Sequence, residues 1–330
     1  DPLSGLTEGE IEDARPYCEL IRRWFNLHPE FSWLPGKFKI AINGAKLDET
    51  ALKIHDLGLR LGRNEKGELG FSVFVGGGLG AAAMIAAETA SFVPVVDILS
   101  YLESSLRIYN LKGRRDHQKK LRIKFLVREL GATEFSRLVD EDWQQTKDDP
   151  DLKLNLNELE SLKKDFALPI KPIDLDGFKD KVDFNYGIWK KNNVRSHKVS
   201  GHSIVNISLT KLGTAPGDAT SEQMRILAKL ADEFSSGEIR TTKRQTIVFP
   251  FVRKDQVFDL WKSLEQYDLS SPHQGTLAQI VACPGRDYCD LAKAVSIPIA
   301  TRVQERFNDM NRLLDIGDLK INISGCENSC

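Results

Sequence analysis

The sequence predicts an α+β protein of more than one domain, and three observations carry that prediction. At 330 residues the chain is longer than an ordinary single domain. Short runs of period-two hydrophobicity alternate with amphipathic helical stretches. A pattern of helix, loop, glycine, strand and closing glycine recurs near both ends, which points to a duplicated unit. The formal net charge of −1 offers nothing to nucleic acid or a membrane surface, so neither is expected as a partner. The longest apolar stretch, residues 79–96, is broken by Glu88 and Pro94, so no membrane helix is expected. No signal peptide is expected from this sequence, and five cysteines in so long and charged a chain are not expected to make a secreted disulfide framework. A reducing, cytoplasmic compartment is the expectation. The chain begins at Asp1 and stops at Cys330, inside a motif, as expected of a piece of a longer polypeptide.

Residues 14–25 predict an amphipathic helix, because Tyr17, Leu20, Ile21 and Trp24 follow the i, i+3, i+4, i+7 spacing. Cys18 lies beside that face and is expected to be a small buried hydrophobe. Residues 37–43 predict a strand with Phe38, Ile40 and Ile42 on one face and Lys37 and Lys39 on the other, closed by the turn signal Asn43-Gly44. Residues 71–75 predict a second strand, running into the glycine-rich loop 76–80 and then an Ala-rich helix. A helix over 97–109 precedes a basic stretch over 112–128. Residues 144–183 are charged and punctuated by Pro150, Pro169 and Pro172, which predicts a linker with helix only over 156–166. A small α+β module follows: a strand over 205–209 and a helix opened by a capping box at Thr220 and Gln223, with Leu227, Leu230, Ala231 and Phe234 on its buried face. After it come a long strand over 239–252 with Arg240, Thr242 and Arg244 on one face, and a second helix over 254–267. The predicted regions are 1–145, a charged linker 146–188, a module 189–270, and a cysteine-bearing region 271–330.

The repeat aligns Phe25-Asn26 with Phe307-Asn308, and the strand from Gly36 to Ala45 with that from Gly317 to Cys326. The two intervening loops differ by one residue. Where one copy has Ala45 after its strand, the other has Cys326. The pattern suggests one copy holding a metal centre and one adapted to another use.

Four cysteines make that centre: Cys283-x5-Cys289 and Cys326-x3-Cys330, with no histidine beside them. An all-thiolate set suits zinc or an iron–sulfur cluster. Zinc sites generally use a tight pair, and x5 is wide for one. Pro284, Gly285 and Gly325 let the backbone turn close to a bulky inorganic core, so a four-thiolate iron–sulfur cluster fits better. Buried free thiols or disulfides are the alternative. Lys37 and Lys39, two ammonium groups on one face, repel each other unless they are solvated or meet an anion. The basic run of Arg107, Lys112, Arg114, Arg115, Lys119, Lys120, Arg122 and Lys124 and the face of Arg240, Thr242 and Arg244 invite the same two readings. The loop 76–80 could cradle an anion at a helix start, but Ala81 stands where a dinucleotide fingerprint needs its third glycine.

At Cys283-Pro284-Gly285-Arg286-Asp287-Tyr288-Cys289 and Gly325-Cys326-Glu327-Asn328-Ser329-Cys330 the chain resembles the sirohaem- and [4Fe–4S]-containing nitrite/sulfite reductases. Ala14-Arg15-Pro16-Tyr17, His28-Pro29-Glu30-Phe31 and Leu34-Pro35-Gly36-Lys37-Phe38-Lys39 look like that family's first-copy domain. Ala215-Pro216-Gly217-Asp218-Ala219 and Gly237-Glu238-Ile239-Arg240 resemble its ferredoxin-like half. The resemblance runs over nearly the whole chain and implies a duplicated nitrite/sulfite reductase architecture: a sirohaem-type domain, a ferredoxin-like half domain, and the start of a second, cluster-bearing domain. It implies that Cys283, Cys289, Cys326 and Cys330 hold a [4Fe–4S] cluster and that Cys330 also bridges to the sirohaem iron. Lys37 and Lys39 match the family's active-site lysines, which bind the substrate anion and support proton delivery, and Arg114 and Arg115 are expected to bind the cofactor. The implied reaction is six-electron reduction of sulfite to sulfide, or nitrite to ammonia, fed by ferredoxin or a flavoprotein reductase. A non-catalytic [4Fe–4S] electron-transfer protein and a structural zinc protein are the other readings. The family often has Arg where this chain has Gly36, and a basic residue near Ala81 and Ala82. Its N-terminal module and everything after the fourth cysteine are not in this chain, so the piece alone is expected to be inactive.

Overall fold

The computed structural model describes every residue except Asp318 and Cys330. It divides into two compact units. The first is Asp1, Leu3–Gly5 and Gly9–Leu168; the second is Pro2, Leu6–Glu8 and Pro169–Cys330.

The first unit opens on helix α1 (Arg15–Leu27). Tyr17, Leu20 and Ile21 are buried and Trp24 packs against the same core, the face that the spacing predicts. Cys18 is exposed, not buried; it sits one position beyond the apolar stripe, where the helix turns it to solvent. Strands β1 (Ile40–Asn43), β2 (Leu57–Arg63), β3 (Leu69–Val75) and β4 (Ala87–Pro94) form one sheet in that order. β1 runs parallel to β2, and the other two pairings are antiparallel. The Ala-rich run after the glycine loop is therefore not a helix. A bridge between Gly78 and Met84 turns the chain back, and β4 pairs with β3, so sheet pairing overrides alanine's helix preference. Helices α2 (Ile98–Lys112), α3 (Ile123–Leu130), α4 (Ala132–Thr146) and α5 (Leu156–Asp165) complete the unit. The core joins Leu57, Leu59, Phe71 and Val73 of the sheet to Tyr101, Leu102, Phe135 and Val139 of the helices. Leu159 and Leu162 of α5 are buried in it, so the charged stretch after residue 146 is tied to this unit as far as that helix. Each such side chain contributes roughly 1.5–3 kcal/mol of burial.

The second unit holds α6 (Phe184–Asn193), β5 (Val194–Ser196), β6 (His202–Ser208), α7 (Ser221–Phe234), β7 (Arg240–Thr241), β8 (Thr246–Arg253) and α8 (Val257–Glu265). Its sheet is antiparallel in the order β5-β6-β8-β7. Thr220 and Gln223 form the reciprocal capping box, and Leu227, Leu230, Ala231 and Phe234 face the core. The single long strand expected over 239–252 is instead the hairpin β7–β8. Gln245 takes a left-handed conformation (φ 57°), so the backbone reverses between Thr242 and Thr246. Arg240 and Arg244 consequently do not share a strand face, and Arg240 is bound to Glu238 and the Pro2 carbonyl. A parallel pair, β9 (Val281–Ala282) with β10 (Asn322–Ile323), and helices α9 (Ile297–Arg306) and α10 (Met310–Ile316) end the chain. Among the described residues no helix is long and apolar enough to cross a membrane.

The two ends of the duplication match in detail. Arg15 opens α1 and Ile297 opens α9, each followed by proline and each ten residues before the aligned phenylalanine. In the first copy the Ile11 N–H donates to the Gly44 carbonyl at 2.7 Å; in the second, Lys293 and Ala294 donate to the Gly325 carbonyl at 2.8 and 2.9 Å. A Cβ on Gly44 would lie 1.9 Å from the Glu12 carbonyl oxygen, and one on Gly325 would lie 2.6 Å from that of Ala294. Glu12 and Ala294 stand at equivalent places, thirteen residues ahead of Phe25 and Phe307.

Candidate functional site

The lysine segment belongs to the first unit. Lys37 and Lys39 precede β1, which begins only at Ile40, yet the expected alternation holds. Phe38 and Ile40 pack against the core, Ile42 is buried, and both lysines are exposed. Gly36 allows the segment to lie close to the basic stretch, for a Cβ there would be 2.9 Å from Leu121 Cβ.

The backbone of Lys39 is held on both sides. Its N–H donates to Asp56 Oδ2 at 3.0 Å, and its carbonyl accepts the Leu57 N–H at 3.1 Å. Asp56 is fully buried. Its carboxylate takes a two-pronged bond from Arg122, Nε to Oδ1 at 2.9 Å and Nη2 to Oδ2 at 2.8 Å, and its carbonyl accepts the Gly76 N–H. Gly78 closes against that guanidinium, since a Cβ would stand 3.0 Å from Arg122 Nη2. Lys124 is buried too, its Nζ donating to the Leu79 and Ala82 carbonyls at 2.8 Å each. Burial, with Arg122 beside it, holds the Lys124 ammonium below the usual lysine range. The glycine loop is thus fastened from beneath by cations and is not the start of a helix.

The rest of the basic run divides by partner. Arg107 is bound to Glu103, Asp142 and Glu30. Arg114 pairs with Asp116 at 2.9 Å on the surface. Arg115 donates to the carbonyl and side-chain oxygens of Asn110, both neutral.

The cysteine loops belong to the second unit. Cys283 follows β9 and Cys326 follows β10 by two intervening residues, so the parallel pairing of the strands brings the two loops side by side. The Gly325 N–H lies 3.1 Å from Cys283 Sγ and the Ser296 hydroxyl 3.3 Å from it. Burial pushes the Cys283 thiol up, but the Ser296 hydroxyl and the N–H groups of Gly325 and Gly285 outweigh it and hold the thiol below its usual range. Gly285, at φ 61°, lies under Ser296, and Gly325 lies against Gly285 Cα at 3.0 Å from its own missing Cβ. The Cys289 N–H donates to the Gly285 carbonyl. Cys283, Cys289 and Cys326 are all free and part-buried. Cys330 lies outside the described residues. Among the described residues no group of three or more His, Cys, Asp or Glu stands close enough to hold a metal ion.

Three residues escaped the sequence reading. Asp56 is unremarkable in sequence, because its partners lie seventeen residues before it and sixty-six after. Ser296 stands thirteen residues after the cysteine it touches. Gln245 clamps β9 immediately before Cys283, its amide donating to the Ala282 carbonyl at 2.9 Å and accepting the Ala282 N–H at 3.0 Å. Only Gln245 left a signal: Gly217, in the quoted Ala-Pro-Gly-Asp-Ala stretch, makes room for its side chain.

Known proteins bear on this arrangement. Residues 1–147 match the nitrite and sulphite reductase 4Fe-4S domain, and residues 210–267 match the nitrite/sulfite reductase ferredoxin-like half domain. A sulfite reductase [ferredoxin] of Mycolicibacterium paratuberculosis is 25% identical over the whole of this chain and 53% of its own length. A chloroplastic ferredoxin–nitrite reductase of Arabidopsis thaliana is 26% identical over the whole chain and 52% of its own. The chain therefore spans about half the length of the curated relatives it matches. The fold is also that of the Mycobacterium tuberculosis NirA protein, with a TM-score of 0.71 at 24% identity over all of this chain and 54% of that one. The duplicated α+β architecture, both domain matches and relatives that align with the whole of this chain agree: the chain belongs to the nitrite/sulfite reductase family.

Proposed function

We propose that this chain is part of an enzyme that reduces sulfite to sulfide, or nitrite to ammonia, by six electrons, using a sirohaem coupled to a [4Fe–4S] cluster. The observation that carries the reading is the meeting of the Cys283 and Cys326 loops, with the Ser296 hydroxyl and the Gly325 N–H both on Cys283 Sγ. The donor set fits an iron–sulfur cluster: all-thiolate, with N–H groups turned on sulfur, the contacts that tune such clusters. Cys283, Cys289, Cys326 and Cys330 would hold the cluster in this reading, and Cys330, outside the described residues, would also hold the sirohaem.

When bound, the two cofactors supply single-electron transfer and an iron at which the anion is reduced. The chain's own residues handle charge and protons. Lys37 and Lys39 present two exposed ammonium groups from one short segment, which suits an oxyanion and protonates oxygens as they leave as water. Arg115, whose hydrogen bonds among the described residues go to the neutral Asn110, is the stronger candidate of the arginine pair for a cofactor carboxylate; Arg114 is already matched by Asp116. The names of the relatives favour ferredoxin as donor over a flavoprotein. Among the described residues Cys18, Cys283, Cys289 and Cys326 are free thiols, which suits a reducing compartment, the cytoplasm in this reading.

The test is the absorption spectrum and the metal and sulfide content of full-length protein purified without oxygen, followed by steady-state assays with each anion. Porphyrin-type bands, iron and acid-labile sulfide are expected. A colourless, zinc-loaded protein overturns the reading.

A further inference from the structure

Asp56 joins three segments of the first unit, and no role in the reaction has yet been given to it. It has no solvent exposure, and every polar contact it makes leads to a functional stretch. Its Oδ2 accepts the Lys39 N–H, its two oxygens grip Arg122, and its carbonyl accepts the N–H of Gly76 at the root of the glycine loop. The next residue, Leu57, donates to the Lys39 carbonyl. Lys37 and Lys39 lie ahead of β1, so the regular ladder does not fix them. Between Gly36, which abuts Leu121, and Ile40, where the ladder starts, Asp56 and Leu57 supply the backbone bonds that hold Lys39.

Arg122 completes the device. A planar guanidinium gripped at two points fixes the carboxylate's orientation as well as its charge, and a lysine could not do so. The pair also neutralises itself. Arg122 thus adds no net charge to an anion site, although it sits in the basic run.

We propose that the Asp56–Arg122 pair is a positioning clamp for the anion-binding lysines: it sets the Lys39 backbone, and through it the spacing of the two ammonium groups. The proposal rests on the reading of Lys37 and Lys39 given above. Asp56 and Arg122 touch neither substrate nor cofactor in this account, so they are positioning residues.

The experiment uses the full-length holoenzyme and steady-state kinetics with sulfite and with nitrite. Asp56→Asn keeps an oxygen for the Lys39 N–H but releases Arg122. It is expected to raise KM at least tenfold while kcat of the cofactor-loaded fraction falls less. Arg122→Lys keeps the charge and loses the fork; it should raise KM several-fold, and it serves if Asp56→Asn does not fold. Lys39→Met alone should also raise KM, and the double variant Asp56→Asn/Lys39→Met should be little worse than Lys39→Met, since both changes remove one arrangement. A merely structural role would lower stability or cofactor content and leave KM of the loaded enzyme alone; that result overturns the clamp. Full additivity in the double variant overturns the clamp while leaving the lysine reading intact. An unchanged KM in Lys37→Met and Lys39→Met overturns both.

Discussion

A methyl group at Gly325 is the sharpest perturbation of the cysteine loops. The added carbon would stand 2.6 Å from the Ala294 carbonyl oxygen, 3.0 Å from Gly285 Cα and 3.1 Å from Ser296 Oγ. Two of those neighbours are backbone and cannot swing aside. Overpacking of this kind costs about 1–3 kcal/mol. The relief available is to part the two loops, and that breaks the Gly325 N–H contact to Cys283 Sγ, worth about 1.5–3 kcal/mol if the sulfur is a thiolate. Gly325→Ala should therefore cost roughly 2.5–6 kcal/mol where both losses are felt. Gly44→Ala, whose methyl would lie 1.9 Å from the Glu12 carbonyl oxygen, loses packing alone and should cost about 3 kcal/mol, the upper end of the overpacking range. Urea unfolding of the chain measures both, and iron and acid-labile sulfide in the full-length protein report on the loops directly. Gly187→Ala is the control: nothing lies within 4 Å of its added carbon and it sits inside α6, so it should gain up to about 1 kcal/mol. A Gly325→Ala protein with an unchanged unfolding midpoint and a full complement of iron would refute the close approach of the loops.

Three further outcomes follow from particular contacts. Ser296→Ala removes a hydroxyl that lowers the Cys283 thiol, so alkylation of Cys283 in cofactor-free chain at neutral pH should slow; an unchanged rate would show that the Gly325 N–H suffices. Gln245→Ala deletes both bonds to Ala282 and should cost roughly 1–3 kcal/mol in urea unfolding, with cluster content falling ahead of fold, and a variant equal to wild type in both would sink the clamp on β9. His197 is buried, and burial, then the neighbouring His202, lowers its pKa from 6.5 to about 4. Between those values the unfolded chain binds a proton that the folded chain refuses, so stability is whole above pH 6.5 and falls as pH drops towards 4, by on the order of 3 kcal/mol. His197→Phe should flatten that part of a stability–pH curve measured by urea midpoint, and an unaltered slope would rule His197 out as its source.

Local patterns were legible where one element's own residues decide the outcome. The period of two put Lys37 and Lys39 outward and Phe38, Ile40 and Ile42 inward, because a strand's faces alternate whatever it pairs with. The box at Thr220 and Gln223 closes within four residues and needs no tertiary help. Failures came where a distant partner decides. An Ala-rich run became a strand because β3 offered it a ladder. A continuous β-like run became a hairpin because Gln245 takes a left-handed turn beside Gly217 and is held by Ala282, and neither partner is near it in sequence. The Asp56–Arg122 pair was invisible for the same reason, although Arg122 was counted in a basic run. Summing charges along a sequence treats each cation as available. In the fold Arg107, Arg114 and Arg122 are matched by carboxylates, while among the described residues Arg115 bonds to the neutral Asn110.

The duplication accounts for the different fates of two equivalent turns, Gly44-Ala45 and Gly325-Cys326, of which only the second carries a ligand in the proposed reading. Both copies need the glycine, because in both a carbonyl from the segment ahead of the helix fills the space of its side chain. That requirement belongs to the scaffold, not to any ligand, for Gly44 keeps it beside Ala45 without a cysteine. The residue after the glycine is free to vary. In the first copy Ala45 is buried and its N–H is taken by the Asn43 side chain, so the turn is sealed, and the strand's entrance keeps Lys37 and Lys39 exposed. In the second copy Ser324 donates to the Cys326 carbonyl, and the Cys326 thiol stays free. Exchanging the two residues tests this division. Ala45→Cys should fold with a buried, slowly alkylated thiol and bind no iron, whereas Cys326→Ala should fold and lose the cluster. Iron captured at Ala45→Cys would mean that the turn alone makes a ligand, and the argument that β9 and the Cys283 loop must lie beside it would fall.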